Sequence, residues 1–452
     1  MTMATDTRMT PAMRPYLSQT ARFASGKDSP RDFLERCLTE LERWEPKIGA
    51  FVSLNRDGAR ESADRATARW REGRPLSPID GMPLGIKDII ETIDMPTQMG
   101  SPLFDGWRSQ RDAAAVAALR EAGAVIVGKT VTTEFAATVP RGTRNPWDVS
   151  RTPGGSSSGS AAAVAAGLVS AALGTQVIGS TIRPASYCGC YGFKPTVGAI
   201  NRGGSHDFLS QSSTGTLAAS LGEAWQVAYE VAIRAGGDPG FYGLAGPAEA
   251  PAAQKPRRLA FLETAGWALA SAGARQAMED ALKRLSGAGV EIRTRHNDPR
   301  VAVVEATIAQ ARQRSAAINT WEGRWPLNTY AERDASKLSD VMLARLKEAE
   351  AMTLADYRQM LGERTKTRAR YAELAAEVDA TVSLSAPAAA PVGLGSTGDP
   401  ASTVHTSYLG VPAISLPLFQ DQGLPLGLQV VGFENDDAET FATAAWMESA
   451  LG

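Results

Sequence analysis

Apolar and polar positions along the chain follow two spacings, one typical of helices and one of buried strands. From Phe33 to Trp44, apolar residues recur every three or four positions, which predicts an amphipathic helix ending at Pro46. Ser29-Pro30 supplies a capping serine and a proline at the first helical position. Further helices are predicted over 57–70, 113–122 and 274–285, and strands over 51–54, 124–128 and 258–261. Short strands alternating with helices indicate an α/β protein with a mainly parallel or mixed sheet.

A glycine- and serine-rich turn interrupts this pattern near the middle of the chain. Residues 154–159 read Gly-Gly-Ser-Ser-Ser-Gly, and glycine permits backbone geometries that other residues avoid. The alanine-rich run over 161–172 then predicts a helix, with Ser160 or Gly159 capping its start. The turn leads at once into a buried segment, so a flexible linker fits poorly.

A second serine turn, Gly179-Ser180, follows a predicted buried strand over 170–178. Turns of this kind present hydroxyl and backbone N–H groups to a ligand. A phosphate-binding loop is disfavoured, because neither of the two common glycine-rich phosphate motifs occurs here. Nucleophilic serine chemistry stays open.

Serine chemistry needs a base, and histidine is scarce in this chain. The three histidines, His206, His296 and His405, lie in polar sequence that predicts loops. Lys87 lies within an apolar run, which is unusual for a side chain that normally reaches solvent. Burial lowers the pKa of a lysine, so Lys87 is the candidate base.

Composition narrows the classes of function. The 452 residues carry a net charge of −2, which suggests neither nucleic acid nor a polybasic membrane patch. The three cysteines, Cys37, Cys188 and Cys190, are an odd number and favour a reducing, cytoplasmic location. The N-terminus lacks the apolar core of a signal peptide, and 161–179 is too polar for a membrane span.

Several motifs together resemble those of the amidase signature family. They are Gly81-Met-Pro-Leu-Gly-Ile-Lys-Asp, Gly128-Lys-Thr-Val-Thr-Thr-Glu-Phe-Ala, Thr143-Arg-Asn-Pro-Trp-Asp, Pro153-Gly-Gly-Ser-Ser-Ser-Gly-Ser, Arg183-Pro-Ala-Ser-Tyr-Cys-Gly, Gly192-Phe-Lys-Pro-Thr, Leu409-Gly-Val-Pro-Ala-Ile-Ser-Leu-Pro and Gly423-Leu-Pro-Leu-Gly-Leu-Gln-Val-Val-Gly. The resemblance implies that Lys87 is the base, Ser156 a proton-relaying serine after a cis peptide bond, and Ser180 the nucleophile. It implies no cofactor and no metal.

The same resemblance implies one large α/β/α layered domain around a central mixed sheet, covering 1–452. Its signature core is expected over about 75–220, a variable helical region over about 300–377, and the rest of the core over about 380–450. The variable region is expected to shape the substrate pocket. Candidates to line it are Trp321, Trp325, Tyr330, Met342 and Met352, although plain core packing is the more common role of such residues.

Around the nucleophile the chain departs from the family text. Val177, Ile178, Gly179 and Ser180 are expected to supply the N–H groups of the oxyanion hole, but the family usually has glycine where Ile178 stands. Gln176 replaces a frequent aspartate. For Arg183, two interpretations stay open: binding a substrate carboxylate, or tying down loop carbonyls. Ser157 is a further candidate to contact the lysine.

Three functions fit the resemblance. The leading hypothesis is a serine hydrolase that cleaves a small amide, a carbamate (urethane) or an ester with water, without nucleic acid or membrane and possibly as a homodimer. The second is the amidase subunit of a tRNA-dependent amidotransferase, and the third is a non-catalytic binding module of the same fold. For a base, we expect the pKa of Lys87 to be lowered from about 10.4 to about 7–8.

Overall fold

The computed structural model describes residues 10–452, and the strands of this part form one eleven-stranded sheet. In chain order they are β1 Phe51–Leu54, β2 Pro83–Lys87, β3 Val125–Thr130, β4 Ala171–Gln176, β5 Tyr191–Lys194, β6 Ser213–Ala218, β7 Arg258–Phe261, β8 Glu291–Arg293, β9 Ala380–Leu384, β10 Ala413–Asp421 and β11 Leu424–Val431. Their order across the sheet is β1-β3-β2-β4-β6-β5-β10-β11-β9-β7-β8.

The α-helices of the described chain connect and cover these strands. They are α1 Thr20–Ala24, α2 Pro30–Ile48, α3 Arg56–Arg71, α4 Ala114–Glu121, α5 Ser158–Ala165, α6 Ile182–Cys188, α7 Leu221–Ala235, α8 Ala272–Gly287, α9 Pro299–Ile308, α10 Ala311–Asp334, α11 Asp340–Ala351, α12 Leu354–Ala372, α13 Val404–Leu409 and α14 Asp437–Leu451. Short 3-10 turns span Leu17–Gln19, Pro102–Phe104, Glu134–Ala136, Ala335–Lys337 and Glu373–Ala376.

Alternating residues of the strands pack into separate cores on the two faces of the sheet. In β4, Ala171 and Leu173 join a large core that includes α4 and α7, whereas Ala172 joins a core built with α2 and α5. In β3, Ile126 and its neighbour Val127 divide in the same way. Because successive strand residues point to opposite faces, both faces of the sheet are covered by helices.

The sheet is mixed. β2 pairs in parallel with β3 and β4, and β7 pairs in parallel with β8 and β9, while β10 and β11 are antiparallel. β10 also pairs with β5, so strands from the end of the chain join the sheet of the central part. The prediction of a single α/β domain with a large mixed sheet is confirmed.

Most predicted elements are present, and several of their ends, such as those of the strand predicted over 170–178, differ from the prediction by one or two residues. The alanine-rich helix differs most. The alanine-rich helix ends at Ala165 rather than Ala172, because Gly167 has a positive φ of 69° and strand pairing begins at Ala171. Tertiary pairing thus overrides the helix preference of alanine. The predicted caps Gly159 and Ser160 lie inside α5, which starts at Ser158.

The helix that was predicted to end at Pro46 also runs further. α2 continues through Pro46 to Ile48 and is closed by Gly49 in the left-handed conformation. The predicted start is confirmed, since the side chain of Ser29 accepts a hydrogen bond from the backbone N–H of Asp32.

Candidate active site

Lys87 lies at the carboxyl end of β2, next to the end of the parallel strand β4. Its side chain is fully buried, and Nζ lies 2.7 Å from Ser156 Oγ and 2.7 Å from Thr175 Oγ1. Burial lowers the pKa of Lys87 to about 7, against an opposing effect of the negative charge on Asp207. A large fraction of Lys87 is therefore neutral near pH 7.

The loop before α5 carries Ser156 and Ser157. The peptide bond between Gly155 and Ser156 is cis, as the resemblance implies. Ser157 Oγ donates to the carbonyl of Thr175 at 3.3 Å and accepts from its N–H at 3.3 Å. Ser157 thus holds Thr175, which contacts the lysine; within residues 10–452, the hydrogen bonds of Lys87 go to Ser156 and Thr175 rather than to Ser157.

Ser180 lies in the turn between β4 and α6. Gln176 holds this turn, because its Oε1 accepts the N–H groups of Thr181 and Ile182 at 3.0 Å each. A Cβ on Gly179 would collide with Thr403 Oγ1, which explains a glycine at that position. The carbonyl of Ser180 accepts the N–H of Ser157 at 3.3 Å, so the two serine turns lie against each other.

The backbone N–H groups of this turn differ from those of its neighbours in their hydrogen bonding. In the described chain, no backbone hydrogen bond of a loop or turn engages the N–H groups of Ile178, Gly179 and Ser180. Ile178 is not among the residues with positive φ, so this turn does not require the left-handed conformation that isoleucine avoids. Its side chain lines the cavity beside Ser180, where it takes space that a glycine would leave open.

Arg183 is buried in α6, three positions after Ser180. Its Nη2 donates to the carbonyl of Gly155 at 2.7 Å and to Thr397 Oγ1 at 3.0 Å. The contact with Gly155 matches the interpretation in which arginine ties down loop carbonyls. Arg183 also lines the cavity, and its Nε has no partner in the described chain.

A cavity of about 580 Å³ opens onto Ser180, a size in the usual range for small-molecule sites. Its charged and amide lining residues are Arg183, Asp207, Arg312, Asn319 and Arg345. A smaller chamber of about 60 Å³ adjoins it, with a mostly apolar lining that includes Phe135, Leu327, Tyr330 and Met342. His206, Asp207 and Arg345 also line this chamber.

Comparison with known proteins identifies the family of this chain. The family model described as Amidase matches residues 32–441. The chain belongs to the amidase family. It is 33% identical to a subunit of the glutamyl-tRNA(Gln) amidotransferase of Anaeromyxobacter sp. (strain K), over 94% of this chain and 93% of the relative.

Solved structures give the same result for this amidase chain. It is similar to a crystal structure described as that of an amidase, with a TM-score of 0.84 and 28% identity over 97% of this chain and 100% of the other. It is also similar to a peptide amidase from Stenotrophomonas maltophilia, with a TM-score of 0.74 and 27% identity over 96% of each chain. The chain is thus an enzyme of the class that hydrolyses C–N bonds.

Only some of the residues that the sequence suggested as pocket lining do line a pocket of this amidase. Tyr330 and Met342 line the small chamber. Trp321 stacks on Tyr357 with ring centroids 5.6 Å apart, and Trp325 is 67% exposed. Neither tryptophan nor Met352 lines the two described spaces.

Four residues near the site had no motif to reveal them: Thr175, Asp207, Asn319 and Thr397. Thr175 contacts the lysine from β4, and Thr397 holds Arg183. Asp207 and Asn319 reach the cavity from distant parts of the chain. The only available signal was a polar residue beside an apolar run, which is too common to be useful.

His206 lines the small chamber, whereas neither the other two histidines nor any cysteine lines either of the two described spaces. The prediction of a loop for His405 was wrong, because it lies within α13 and is 2% exposed, and burial lowers its pKa to about 4. All three cysteines of the chain are buried, and none forms a disulfide within residues 10–452. Burial raises the pKa of Cys37 and of Cys190 to about 12. Residues 10–452 contain no cluster of three or more potential metal ligands and no helix long and apolar enough to cross a bilayer.

Proposed function

We propose that this amidase is a stand-alone hydrolase that forms an acyl-enzyme on Ser180, with Ser156 as proton relay and Lys87 as base. The observation that carries the proposal is the buried Lys87, with a pKa of about 7 and Nζ 2.7 Å from Ser156 Oγ. A neutral amine in contact with a hydroxyl is poised to accept its proton.

In the first half of the reaction, Ser180 Oγ forms a bond to the carbonyl carbon of the substrate. Its proton passes to Ser156 Oγ, and Ser156 gives its own proton to Lys87 Nζ. When the tetrahedral intermediate collapses, the C–N bond breaks and the amine leaves with the proton returned through Ser156. Water then attacks the ester on Ser180 with the same relay, which releases the acid and restores the enzyme.

The turn over residues 177–180 is proposed to stabilise the oxyanion. Support comes from N–H groups without loop partners next to the cavity, and one such donor commonly contributes about 10²–10³ in rate. Arg183 is proposed as a positioning residue, because it bonds the carbonyl of Gly155 directly before Ser156. Ser157 is proposed to position Thr175.

The same chemistry serves amides, carbamates and esters, so the proposal is tested with matched anilides, phenyl carbamates and phenyl esters. Released amine or phenol gives the rate, and mass spectrometry locates the acyl group. We expect acylation of Ser180 in the wild type and none in Ser180→Ala. Acylation at Cys188 or Cys190, or turnover that survives Ser180→Ala, would overturn the mechanism. No turnover and no labelling would favour a binding module.

The names of the curated relatives favour a second candidate, the amidase subunit of a tRNA-dependent amidotransferase, since the 33% identity extends over 94% of the chain. This function requires partner subunits and glutamine as the ammonia donor. Affinity purification of the tagged chain from its native host, followed by a glutaminase assay, distinguishes the two. Glutamine hydrolysis that appears only with co-purified subunits would replace the stand-alone proposal.

A further inference from the structure

One face of α10 runs along both the main cavity and the small chamber. Arg312, Ala316 and Asn319 line the main cavity, and Gly323, Leu327 and Tyr330 line the chamber. These positions follow one another at three- or four-residue spacing, which places them on one side of a helix. Ile318, on another side, packs with α13 instead. The cavity-facing side changes from polar to apolar along the helix.

Asn319 on this face is a polar side chain without a partner. It is 1% exposed, and neither its amide nitrogen nor its amide oxygen has a hydrogen-bond partner within the described chain. Buried amide groups are nearly always hydrogen-bonded, and asparagine offers both donors and an acceptor. Its position in the wall of the cavity points to a ligand that completes these bonds.

Gly323 lies one turn further along the same face, in the middle of a 24-residue helix. It is buried, yet beyond its own helix backbone a Cβ at this position would meet no heavy atom of residues 10–452 within 4 Å. Glycine inside a helix is less favourable than alanine. No close approach of neighbouring atoms in the described chain requires a glycine here. Its missing side chain keeps space open at the chamber.

Asp207 and Arg345 also line the chamber, but most of its lining is apolar, which suits a compact apolar group. Its volume of about 60 Å³ is well below the roughly 150 Å³ of an apolar cavity that binds benzene. Phe135 and Tyr330 stack in its wall with centroids 4.8 Å apart, and Met342 is 1% exposed there. A branched alkyl group of about three to five carbon atoms fits this space better than a ring.

We propose that this face of α10 selects the substrate, and the proposal rests on the amide hydrolase function above. The substrate class is an amide with a second amide group, which bonds Asn319, and a compact branched alkyl group, which enters the chamber beside Gly323. Asn319 and Gly323 are thus specificity-determining residues of the C–N hydrolase.

Four p-nitroanilides separate the two contributions: N-acetyl-leucyl, N-acetyl-glycyl, 4-methylpentanoyl and acetyl. A second set of amides carries the same four groups on the amine side of the scissile bond. Comparison of the two sets shows on which side of that bond the selected groups lie. Affinity is measured by calorimetry on the Ser180→Ala protein, and kcat/KM on the active protein. Failure of the proposed hydrolysis therefore leaves the binding test intact.

We expect the leucyl probe to bind at least ten times more tightly than the glycyl probe, since each buried CH₂ is worth about fourfold. Gly323→Leu fills the chamber and should reduce this ratio to about one. Asn319→Leu should instead abolish the preference for the second amide, expected at about two- to tenfold, while the alkyl preference persists.

Gly362 supplies the matched control, because it also lies inside a helix, has no atom within 4 Å of a built Cβ, and is exposed away from the site. Gly362→Leu should leave every ratio unchanged. If Gly323→Leu fails to fold, Gly323→Ala replaces it, with an expected loss of about fourfold in the ratio. Ratios that are equal in wild type and both folded variants, in both probe sets, would overturn the proposal.

Discussion

The activity of the enzyme is expected to follow the loss of a proton from Lys87. The pKa of this buried lysine is lowered from 10.5 to about 7, which corresponds to about 5 kcal/mol of destabilisation of its charged form. Only the neutral amine accepts a proton from Ser156, so kcat/KM should rise with pH and level off above the pKa. At pH 5 the rate should lie about a hundredfold below the plateau.

The assay is a pH profile of kcat/KM on a slowly cleaved anilide, for which chemistry limits the rate. The wild-type midpoint should lie near pH 7, and Asp207→Asn should move it to lower pH, because the charge of Asp207 raises the pKa of Lys87. Lys194 is the control, since it is another buried lysine with a pKa of about 7. Its replacement by methionine should leave the midpoint in place. A flat profile between pH 5 and 9, or a midpoint that moves with Lys194→Met, would refute the assignment.

The other predictions concern the same site. Lys87→Met and Ser180→Ala should each remove most activity, and the double variant should be little worse than either, because the groups act as one unit. Lys87→Met should also raise the free energy of unfolding, by at most about 5 kcal/mol below pH 7, where the wild type buries a charged lysine. The gain should fall progressively up to pH 10.5, where the unfolded wild type no longer binds the extra proton. Chemical denaturation at pH 6 and at pH 10 measures this difference. Arg183→Lys should lower kcat/KM equally on carboxylated and neutral amides, since its Nη2 is bonded to the loop; a KM increase confined to carboxylated amides would instead show a substrate clamp. Gly179→Ala should lower the melting temperature through the clash with Thr403.

Sequence patterns predicted the α/β class and the short strands because those depend on local periodicity, whereas the single layered domain was implied by the family resemblance. Strand Arg258–Phe261 has the predicted bounds, and the helix predicted over 274–285 differs by only two residues at each end. The predicted end of the alanine-rich helix was wrong because Ala171 and Ala172 pair with β2. That pairing depends on the sheet rather than on the helix preference of alanine.

The surroundings of the site were less predictable than its motifs. Lys87, Ser156 and Ser180 lie in recognisable sequence, but Asn319 reaches the cavity from a helix with no motif. Asp207, which opposes the lowering of the lysine pKa, comes from a loop 120 positions after the lysine. Contacts between such distant residues depend on the packing of the whole domain, and a single sequence does not display them.

The hydrogen-bond partners of the buried lysines explain why Lys87 suits its proposed role as base. Among residues 10–452, the lysines buried below 2% exposure are Lys87, Lys129 and Lys194. Burial lowers the pKa of Lys129 as well, but its Nζ lies 3.1 Å from Asp88, and a carboxylate at that distance opposes the lowering by favouring the charged amine. Burial also lowers the pKa of Lys194 to about 7, but this lysine donates to the carbonyl of Pro195 at 2.7 Å, an acceptor that has no proton to pass on. The two closest contacts of Lys87 are hydroxyls, which bond a neutral amine as well as a charged one. Burial therefore favours neutral Lys87, and one of its hydroxyl partners belongs to the serine that is proposed to relay the proton.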